Sequence, residues 1–315
     1  MNGIILIDKG SGITSMSVDV CVRKTLNIRK AGHLGTLDPF ATGMLPVFAG
    51  DALKVLRYCE DFDKCYICTA RFGYATDTLD CDGDIIAENY PDGKTMEELE
   101  RTDYKAVREA FSKIESITSQ MPPKFSAKKI GGKKAYELAR LGRDDVLEKS
   151  LKPHKVKIHS IDIINISRWE KGFDVKFRVS CSKGTYIRTI ADDVGKATGF
   201  YATAMSLRRI KEGPFDIGLA VTEEKMKEMA AVGDYSFILP TDTALEHIPK
   251  IMADAKTADD ISHGRKVPIE RFSGQNVPLD CPRFRVMYND KMLAVVTPSE
   301  DNGRKFMKCE RVFVG

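Results

Sequence analysis

Residues 32–46 read GHLGTLDPFATGMLP and combine one histidine, one aspartate followed by proline, and three glycines. Because glycine and proline interrupt helices and regular strands, this stretch is predicted to form a constrained loop. Asp38 is the only acidic residue between Asp19 and Asp51. We therefore expect a turn to fix its carboxylate, either for the stability of that turn or for chemistry.

Hydrophobic spacing outward from this loop predicts a mixture of strands and helices. A buried first strand is expected within residues 1–10, and clear alternation follows at 64–72 and 173–179. One helix is predicted after Thr14 or Ser15 and one around 53–58. Further helices are predicted at 103–117, at 134–142, and in a segment that ends at Gly199. Since this order has no βαβ rhythm, it favours an α+β fold with a largely antiparallel sheet.

The composition changes near residue 245, after which the chain is rich in turns. Extended runs are predicted around residues 284–288, 293–296 and 307–314. They indicate a small β module of about 70 residues, near the lower size limit of an independent domain. The predicted division is therefore 1–244 and 245–315.

Bulk composition narrows the class of protein. Of the 315 residues, 43% are hydrophobic and 30% are charged, as in a globular protein. No apolar run approaches the roughly 20 residues that span a bilayer, so no membrane association is expected. The N-terminus lacks the basic segment and cleavage site of a secretory signal, which predicts a cytoplasmic protein.

No metal site is predicted. The eight cysteines are scattered, which is typical of reduced thiols, and Cys65 and Cys68 are expected on opposite faces of one strand. The acidic stretch TDTLDCDGD, residues 76–84, lacks the terminal glutamate of a calcium loop. We interpret it as an Asx-type turn between strands.

Positive charge is concentrated in one segment. Between Lys124 and Lys157, eleven lysine and arginine residues stand against four acidic ones, an excess larger than the net charge of +4 of the whole chain. A polyanion, most commonly a nucleic acid, is one explanation. A solvated charged surface is the other.

The loop and three further regions resemble the signatures of the bacterial TruB family, the tRNA pseudouridine synthases that modify uridine 55. The further regions are DKCYICTARFGYATDTLDCDGD at 63–84, PPKFSAKKIGGKKAYELAR at 122–140, and GTYIRTIADDVG at 184–195 with SLRR at 206–209. Together with the loop they cover most of residues 1–215. The sequence has Lys9-Gly10 where the family commonly has Lys-Pro, and Phe125 where it usually has tyrosine.

The resemblance implies a fold and a reaction. The fold is the pseudouridine synthase fold, a mixed, largely antiparallel central sheet flanked by helices, followed by a small PUA-like β domain. The reaction breaks the bond between sugar C1′ and base N1, turns the base, joins C1′ to C5 and removes the C5 proton. Nothing is oxidised or hydrolysed, so neither a cofactor nor a metal is expected.

The resemblance also assigns candidate residues. Asp38 is the catalytic carboxylate, acting as a nucleophile or as a base, and Arg188 is the cation that keeps it ionised and oriented. Tyr66 stacks on the uracil and helps to collect the C5 proton. The substrate pocket is implied to include Tyr186, Leu207 and His33. Without the resemblance, Arg188 is a surface arginine beside a strand end, His33 is a structural histidine, and the other four are ordinary turn, strand or core residues.

RNA binding follows from the same family. A uridine in the TΨC arm of tRNA is stacked, so the enzyme must extrude it, at a cost of a few kcal/mol. The expected RNA contacts are Lys9, Lys124, Lys128, Lys129, Lys133, Lys134 and Arg140. The enzyme is expected to act as a monomer without an obligatory protein partner.

Two other functions remain open at this point. The chain could be a catalytically silent RNA-binding or tRNA-folding protein, or a relative that depends on a guide RNA. The intact set Asp38, Tyr66 and Arg188 argues against the first. The absence of a basic tail and the compact β module at the end of the sequence favour a stand-alone enzyme over the second.

Overall fold

The computed structural model describes residues 1–275 and 281–313. The strands in these ranges are β1 Gly3–Lys9, β2 Ala31–His33, β3 Thr42–Ala49, β4 Lys64–Phe72, β5 Tyr74–Thr76, β6 Ile85–Glu88, β7 Ser119–Gln120, β8 Lys129–Ile130, β9 Lys133–Lys134, β10 His154–Lys155, β11 Ile158–Trp169, β12 Gly172–Cys181, β13 Ala202–Glu212, β14 Phe215–Asp216, β15 Ile238–Leu239, β16 Lys250–Met252, β17 Val267–Pro268, β18 Phe284–Tyr288, β19 Lys291–Asp301 and β20 Arg304–Val312.

The helices are interspersed with these strands along the chain. The α-helices are α1 Ser15–Thr25, α2 Gly93–Arg101, α3 Lys105–Glu115, α4 Ala135–Arg140, α5 Asp144–Ser150, α6 Ile187–Thr198, α7 Glu223–Ala231 and α8 Ala255–Ser262. Short 3₁₀ helices cover Gly50–Tyr58, Ile217–Leu219, Thr241–Leu245 and Ile269–Phe272. Among the described residues, no helix is both long and apolar enough to cross a membrane.

The central sheet has the order β11-β12-β4-β13-β3-β1-β15, and β2 and β14 extend it beside β3 and β13. All of its neighbouring strands are antiparallel except β13 and β3, which run parallel. This confirms the predicted α+β class with a mixed, largely antiparallel sheet.

Strand β4 shows how the alternating pattern builds the core. Tyr66, Cys68, Ala70 and Phe72 are buried on the face that α6 covers, whereas Cys65 is only half-buried. Burying one face of a strand fixes its register, because a slip of one residue would expose the whole apolar set. The predicted placement of Cys65 and Cys68 on opposite faces is confirmed.

Element boundaries differ from the prediction where the backbone is unusual. The predicted helix at 103–117 begins at Lys105, because Asp103 and Tyr104 have left-handed φ angles of 48° and 52°. The segment at 53–58 belongs to a 3₁₀ helix that starts at Gly50. The edge strand β11 was not predicted, since two register shifts interrupt its alternation.

A second sheet follows residue 249, with the order β16-β18-β19-β20-β17. It has an apolar core of its own, which includes Phe272, Phe284 and Met307. The three predicted extended runs lie in β18, β19 and β20, and Val314, at the end of the last run, lies outside the described residues. The domain division at residue 245 stays a prediction.

Candidate active site

The loop that carries Asp38 lies between β2 and β3 and is fixed by the start of α1. Thr14 caps this helix by accepting a hydrogen bond from the Ser17 amide. The Ser15 hydroxyl donates to the Leu37 carbonyl at 3.0 Å and lies 2.9 Å from the Leu37 amide, which donates back to it. The Ala41 amide donates to the Asp38 carbonyl at 3.1 Å and closes the turn. The carboxylate is therefore presented by a rigid turn, as the sequence predicts.

Lys9 also holds this loop, and here the expected RNA contact needs correction. Its side chain is fully buried, and Nζ donates to the carbonyls of Gly10, Ile13 and Pro39 at 2.9, 2.8 and 3.2 Å. All three ammonium donors are thus used within the protein, so Lys9 does not face a phosphate. It ties the residue after Asp38 to the loop that precedes α1.

We expect this clamp to weaken at alkaline pH. Burial lowers the pKa of Lys9 from 10.5 to about 8, so in the folded protein the neutral amine forms above about pH 8. A neutral amine has two N–H donors for three carbonyls, so one bond to the loop is lost as the pH rises through 8. We expect turnover to decline there. In Lys9→Met, turnover should be lower and lack that alkaline step, as measured by kcat between pH 6 and 9.5.

Arg188 joins two carboxylates at the centre of the site. Its Nε lies 3.0 Å from Asp38 Oδ2, and Nη1 lies 3.1 Å from Asp80 Oδ2. The Arg188 side chain is 4% exposed, whereas the Asp38 side chain is 39% exposed. One carboxylate is therefore open to a ligand while the cation behind it is shielded, which strengthens their interaction.

The remaining donors of Arg188 fix its orientation. Nη1 donates to the Thr78 carbonyl at 2.6 Å and Nη2 to the Phe125 carbonyl at 2.9 Å. Position 125 therefore contacts the arginine through its backbone, so the missing tyrosine hydroxyl does not affect this bond. A guanidinium held by Thr78, Asp80 and Phe125 is restricted in the geometry that it offers Asp38.

Asp80 is a site residue that the sequence reasoning missed. It lies in the turn between β5 and β6, where Thr78 Oγ1 donates to Oδ1 at 2.7 Å and the Asp82 amide donates to Oδ1 at 3.2 Å. The predicted Asx-type turn is thus confirmed. Burial raises the pKa of Asp80, opposed by the Thr78 hydrogen bond and by Arg188. Only the fold reveals that Asp80 also accepts a hydrogen bond from Arg188, because Arg188 lies 108 residues further along the chain.

Tyr66 and Leu207 lie on the two strands beside the loop. Tyr66 is buried in β4, directly opposite Arg209 of β13, and Leu207 is buried in β13 opposite Cys68. Burial raises the pKa of Tyr66 far above its usual range, while Arg209 opposes the shift. β13 pairs with the start of β3, and both side chains belong to the same apolar core as Leu37, Phe40 and Ala41 of the loop.

Tyr186 precedes α6 and is held by a pair of hydrogen bonds. Gln120 Oε1 accepts from its amide at 2.8 Å, and Gln120 Nε2 donates to its carbonyl at 3.1 Å. Burial raises the pKa of Tyr186, and the charge of Asp38 acts in the same direction, opposed by Ser126 and Arg188. The phenol therefore lies within the electrostatic reach of the Asp38–Arg188 pair.

His33 is held at the rim of the loop. Its Nδ1 lies 2.8 Å from Oδ2 of the buried Asp19, and Nε2 lies 3.1 Å from Thr36 Oγ1. No sequence pattern points to Asp19, which lies on the buried face of α1. The ring is fixed on both sides and remains slightly exposed.

The basic segment lies on β8, β9, α4 and α5, and part of its charge is neutralised locally. Lys124 lies 2.9 Å from Asp144 and 3.6 Å from Glu148. Lys128 donates to the Lys152 carbonyl at 3.1 Å, whereas Lys129 and Lys133 are exposed on the β8–β9 hairpin. Lys134 and Arg140 both lie beside the Tyr136 ring.

Two family models match this chain. One, described as "TruB family pseudouridylate synthase (N terminal domain)", matches residues 23–187, and one described as "tRNA pseudouridylate synthase B C-terminal domain" matches 188–246. The loop, the arginine and both candidate tyrosines fall within these ranges. Fold and site thus define a protein of the pseudouridylate synthase class.

Curated relatives give the narrower assignment. A "tRNA pseudouridine synthase B" of Geobacter sulfurreducens is 36% identical over 94% of this chain and 93% of its own length. One of Clostridioides difficile is 35% identical over the full length of both. The chain belongs to the TruB family.

Solved structures show the same fold at low identity. A Cbf5-Nop10-Gar1 complex matches with a TM-score of 0.69 and 23% identity, covering 99% of this chain and 85% of that one. An archaeal box H/ACA sRNP Nop10-Cbf5 complex matches with a TM-score of 0.66, also at 23% identity, covering 99% of this chain and 86% of that one. At this identity the likeness concerns the fold.

Proposed function

We propose that this protein converts uridine to pseudouridine at position 55, in the TΨC loop of tRNA, with Asp38 as the catalytic carboxylate. The observation that carries the proposal is the accessible Asp38 carboxylate on a rigid turn, 3.0 Å from a buried guanidinium. An ion pair of purely structural use does not require one partner to be open. The names of the full-length relatives supply the substrate class, tRNA.

The reaction places few demands on the protein, and the site can meet them. A carboxylate oriented by Arg188 is able to attack the sugar or the base, or to abstract a sugar proton. The detached uracil must then stay in place while it turns. Tyr66, Tyr186 and Leu207 are proposed to confine it, because two phenols and one apolar side chain offer stacking without fixed hydrogen bonds.

Base extrusion is the remaining demand. We propose that His33, held by Asp19 and Thr36, fills the space that the uridine leaves as it enters the pocket. Extrusion costs a few kcal/mol, which contacts to the RNA backbone must offset. The exposed lysines of the β8–β9 hairpin are the proposed phosphate contacts.

The salt dependence of tRNA binding tests these contacts. Replacing Lys129 and Lys133 together by glutamine should weaken binding and reduce the slope of log Kobs against log salt by about 1.5, since each phosphate contact contributes roughly 0.7 to 0.9. Turnover at saturating tRNA should change little. The matched control replaces Lys94 and Lys105, exposed on α2 and α3. An equal change of slope in the control would remove the hairpin from the interface.

The same proposal covers partners and location. We infer that the enzyme works in the cytoplasm, as a monomer, on tRNA alone. Purified protein incubated with an unmodified tRNA transcript should form pseudouridine at position 55 without any guide RNA. Tight binding without product would support a silent RNA-binding protein, and product that requires a second RNA would support the guide-dependent class.

A further inference from the structure

Besides the Asp38–Arg188–Asp80 group, a second buried charge cluster lies on β4 and β13, next to Tyr66. Arg209 and Glu212 are 0% and 1% exposed, and Arg209 Nη1 lies 3.1 Å from Glu212 Oε2. Lys64 Nζ, 14% exposed, lies 3.4 Å from Glu212 Oε1. Arg209 Nε also donates to the Met44 carbonyl at 2.7 Å. Two cations therefore share one carboxylate, which leaves a net positive charge inside the protein.

An irregular strand brings these groups to one face of the sheet. Residues three apart in a regular strand point to opposite faces. The register of β13 against β4 shifts between Arg209 and Lys211, so Glu212 comes to the face that Arg209 occupies. Across the same strand pair Arg209 lies opposite Tyr66, and Glu212 lies opposite Lys64. Opposed side chains are close neighbours, so the phenol and the cluster share one patch.

The pairing within the cluster is incomplete. Among the described residues, neither Nη atom of Arg209 nor Oε2 of Glu212 has a well-aligned hydrogen-bond partner. Buried charges add little net stability even when they are well paired, so this arrangement is not explained by folding. Besides its ion-pair partner Glu212, Arg209 has Tyr66 as its cross-strand neighbour. Arg209 lowers the pKa of Tyr66 against burial, while Cys181 and Glu212 raise it.

The loop of Asp38 rests on the same cluster. A Cβ at Gly35, where φ is +62°, would lie 2.5 Å from Glu212 Oε1 and 2.8 Å from Arg209 Nη1. A Cβ at Gly43, where φ is +100°, would lie 2.3 Å from the Arg209 carbonyl. The glycines that flank Asp38 are therefore required by close approach to Arg209 and Glu212. The cluster touches both the loop and the tyrosine.

We propose that Arg209, Glu212 and Lys64 act as a positioning cluster, in which Glu212 and Lys64 hold the Arg209 guanidinium beside Tyr66 and Arg209 orients the phenol oxygen toward C5 of the bound base and supports it as the proton acceptor. This rests on the proposed function. In the last step of the reaction, after C1′ has joined to C5, the C5 proton passes to the Tyr66 oxygen. The C5–H electron pair becomes the second bond of a C5=C6 double bond. The π electron pair of the C6=N1 double bond moves onto N1, which takes a proton from solvent. Tyr66 has released its phenol proton to solvent before this step and regains a proton from C5, so one proton is released to solvent and one is taken up.

The test separates this step from binding and from stability. Lys64→Met removes one positive charge at the outer edge of the cluster, and Lys64→Arg keeps it. With tRNA that carries C5-deuterated uridine, we expect Lys64→Met to lower kcat by at least about tenfold without raising KM, a modest share of what proton transfer contributes. Its C5 isotope effect should exceed that of the wild type, and Lys64→Arg should restore both.

Arg209→Met should also lower kcat and raise the C5 isotope effect. If that variant does not fold, the comparison of Lys64→Met with Lys64→Arg still tests the proposal. The control is Arg71→Met, which breaks a pair with Asp174 at 2.9 Å in the same sheet, away from Tyr66. If the isotope effect stays at the wild-type value while kcat falls in step with Tm, the cluster is structural and the proposal is wrong. Wild-type protein that forms no pseudouridine would instead overturn the proposed function.

Discussion

Asp38→Asn is expected to abolish pseudouridine formation while tRNA affinity stays within a few fold of the wild type. The amide keeps the shape of the side chain but can neither attack the sugar nor accept a proton. We expect the single-turnover rate to fall by about 10⁴-fold or more, the upper range for one acid–base group. The readout is tritium release from tRNA labelled at C5 of uridine, beside a filter-binding measurement of affinity.

A matched control is Asp51→Asn, at the next acidic position along the chain. Asp51 is partly exposed and pairs with Lys54 at 2.7 Å, away from Arg188. Its variant should turn over at the wild-type rate. Near wild-type turnover by Asp38→Asn would show that the carboxylate serves only its turn.

Arg188→Met is expected to lose both activity and stability. Removing the guanidinium leaves Asp80 buried beside Asp38 without a cation, and breaking a buried pair in this way costs about 3–5 kcal/mol. Asp38 also loses the partner that orients it. We expect a lower urea midpoint and, at temperatures where the variant remains folded, turnover close to that of Asp38→Asn.

Asp80→Asn separates the two effects of Arg188. It removes the second carboxylate but leaves the contact between Arg188 and Asp38, so it should retain more activity than Arg188→Met. Arg101→Met breaks an exposed pair with Glu98 and should leave stability unchanged. Wild-type stability of Arg188→Met would contradict the buried network.

The sequence predicts those parts of the fold whose pattern is local. Strand β4 alternates cleanly, Thr14 caps α1, and Gly199 ends α6 with a φ of 81°, so each is readable from a few neighbouring residues. The edge strand β11 is not readable, because its irregular register removes the alternation.

The residues of the site likewise divide into those that the sequence indicates and those that only the fold reveals. Asp38 and Arg188 carry motif signals, and the structure brings them to 3.0 Å. Asp80 and Asp19 are missed because their partners lie in other elements, and an isolated aspartate in a turn or helix has many ordinary uses. The prediction that Lys9 contacts RNA is wrong, because burial of a lysine beside a glycine loop has no local signature.

The most direct test of the central claim is the structure of this protein bound to a TΨC stem-loop RNA with 5-fluorouridine at position 55. Fluorine at C5 cannot leave as a proton, so the final step is blocked and the nucleotide is held. We predict this nucleotide outside the RNA stack, with its sugar against the Asp38 carboxylate and its base beside Tyr66. A nucleotide that remains stacked in the RNA loop, or a sugar remote from Asp38, would contradict the account.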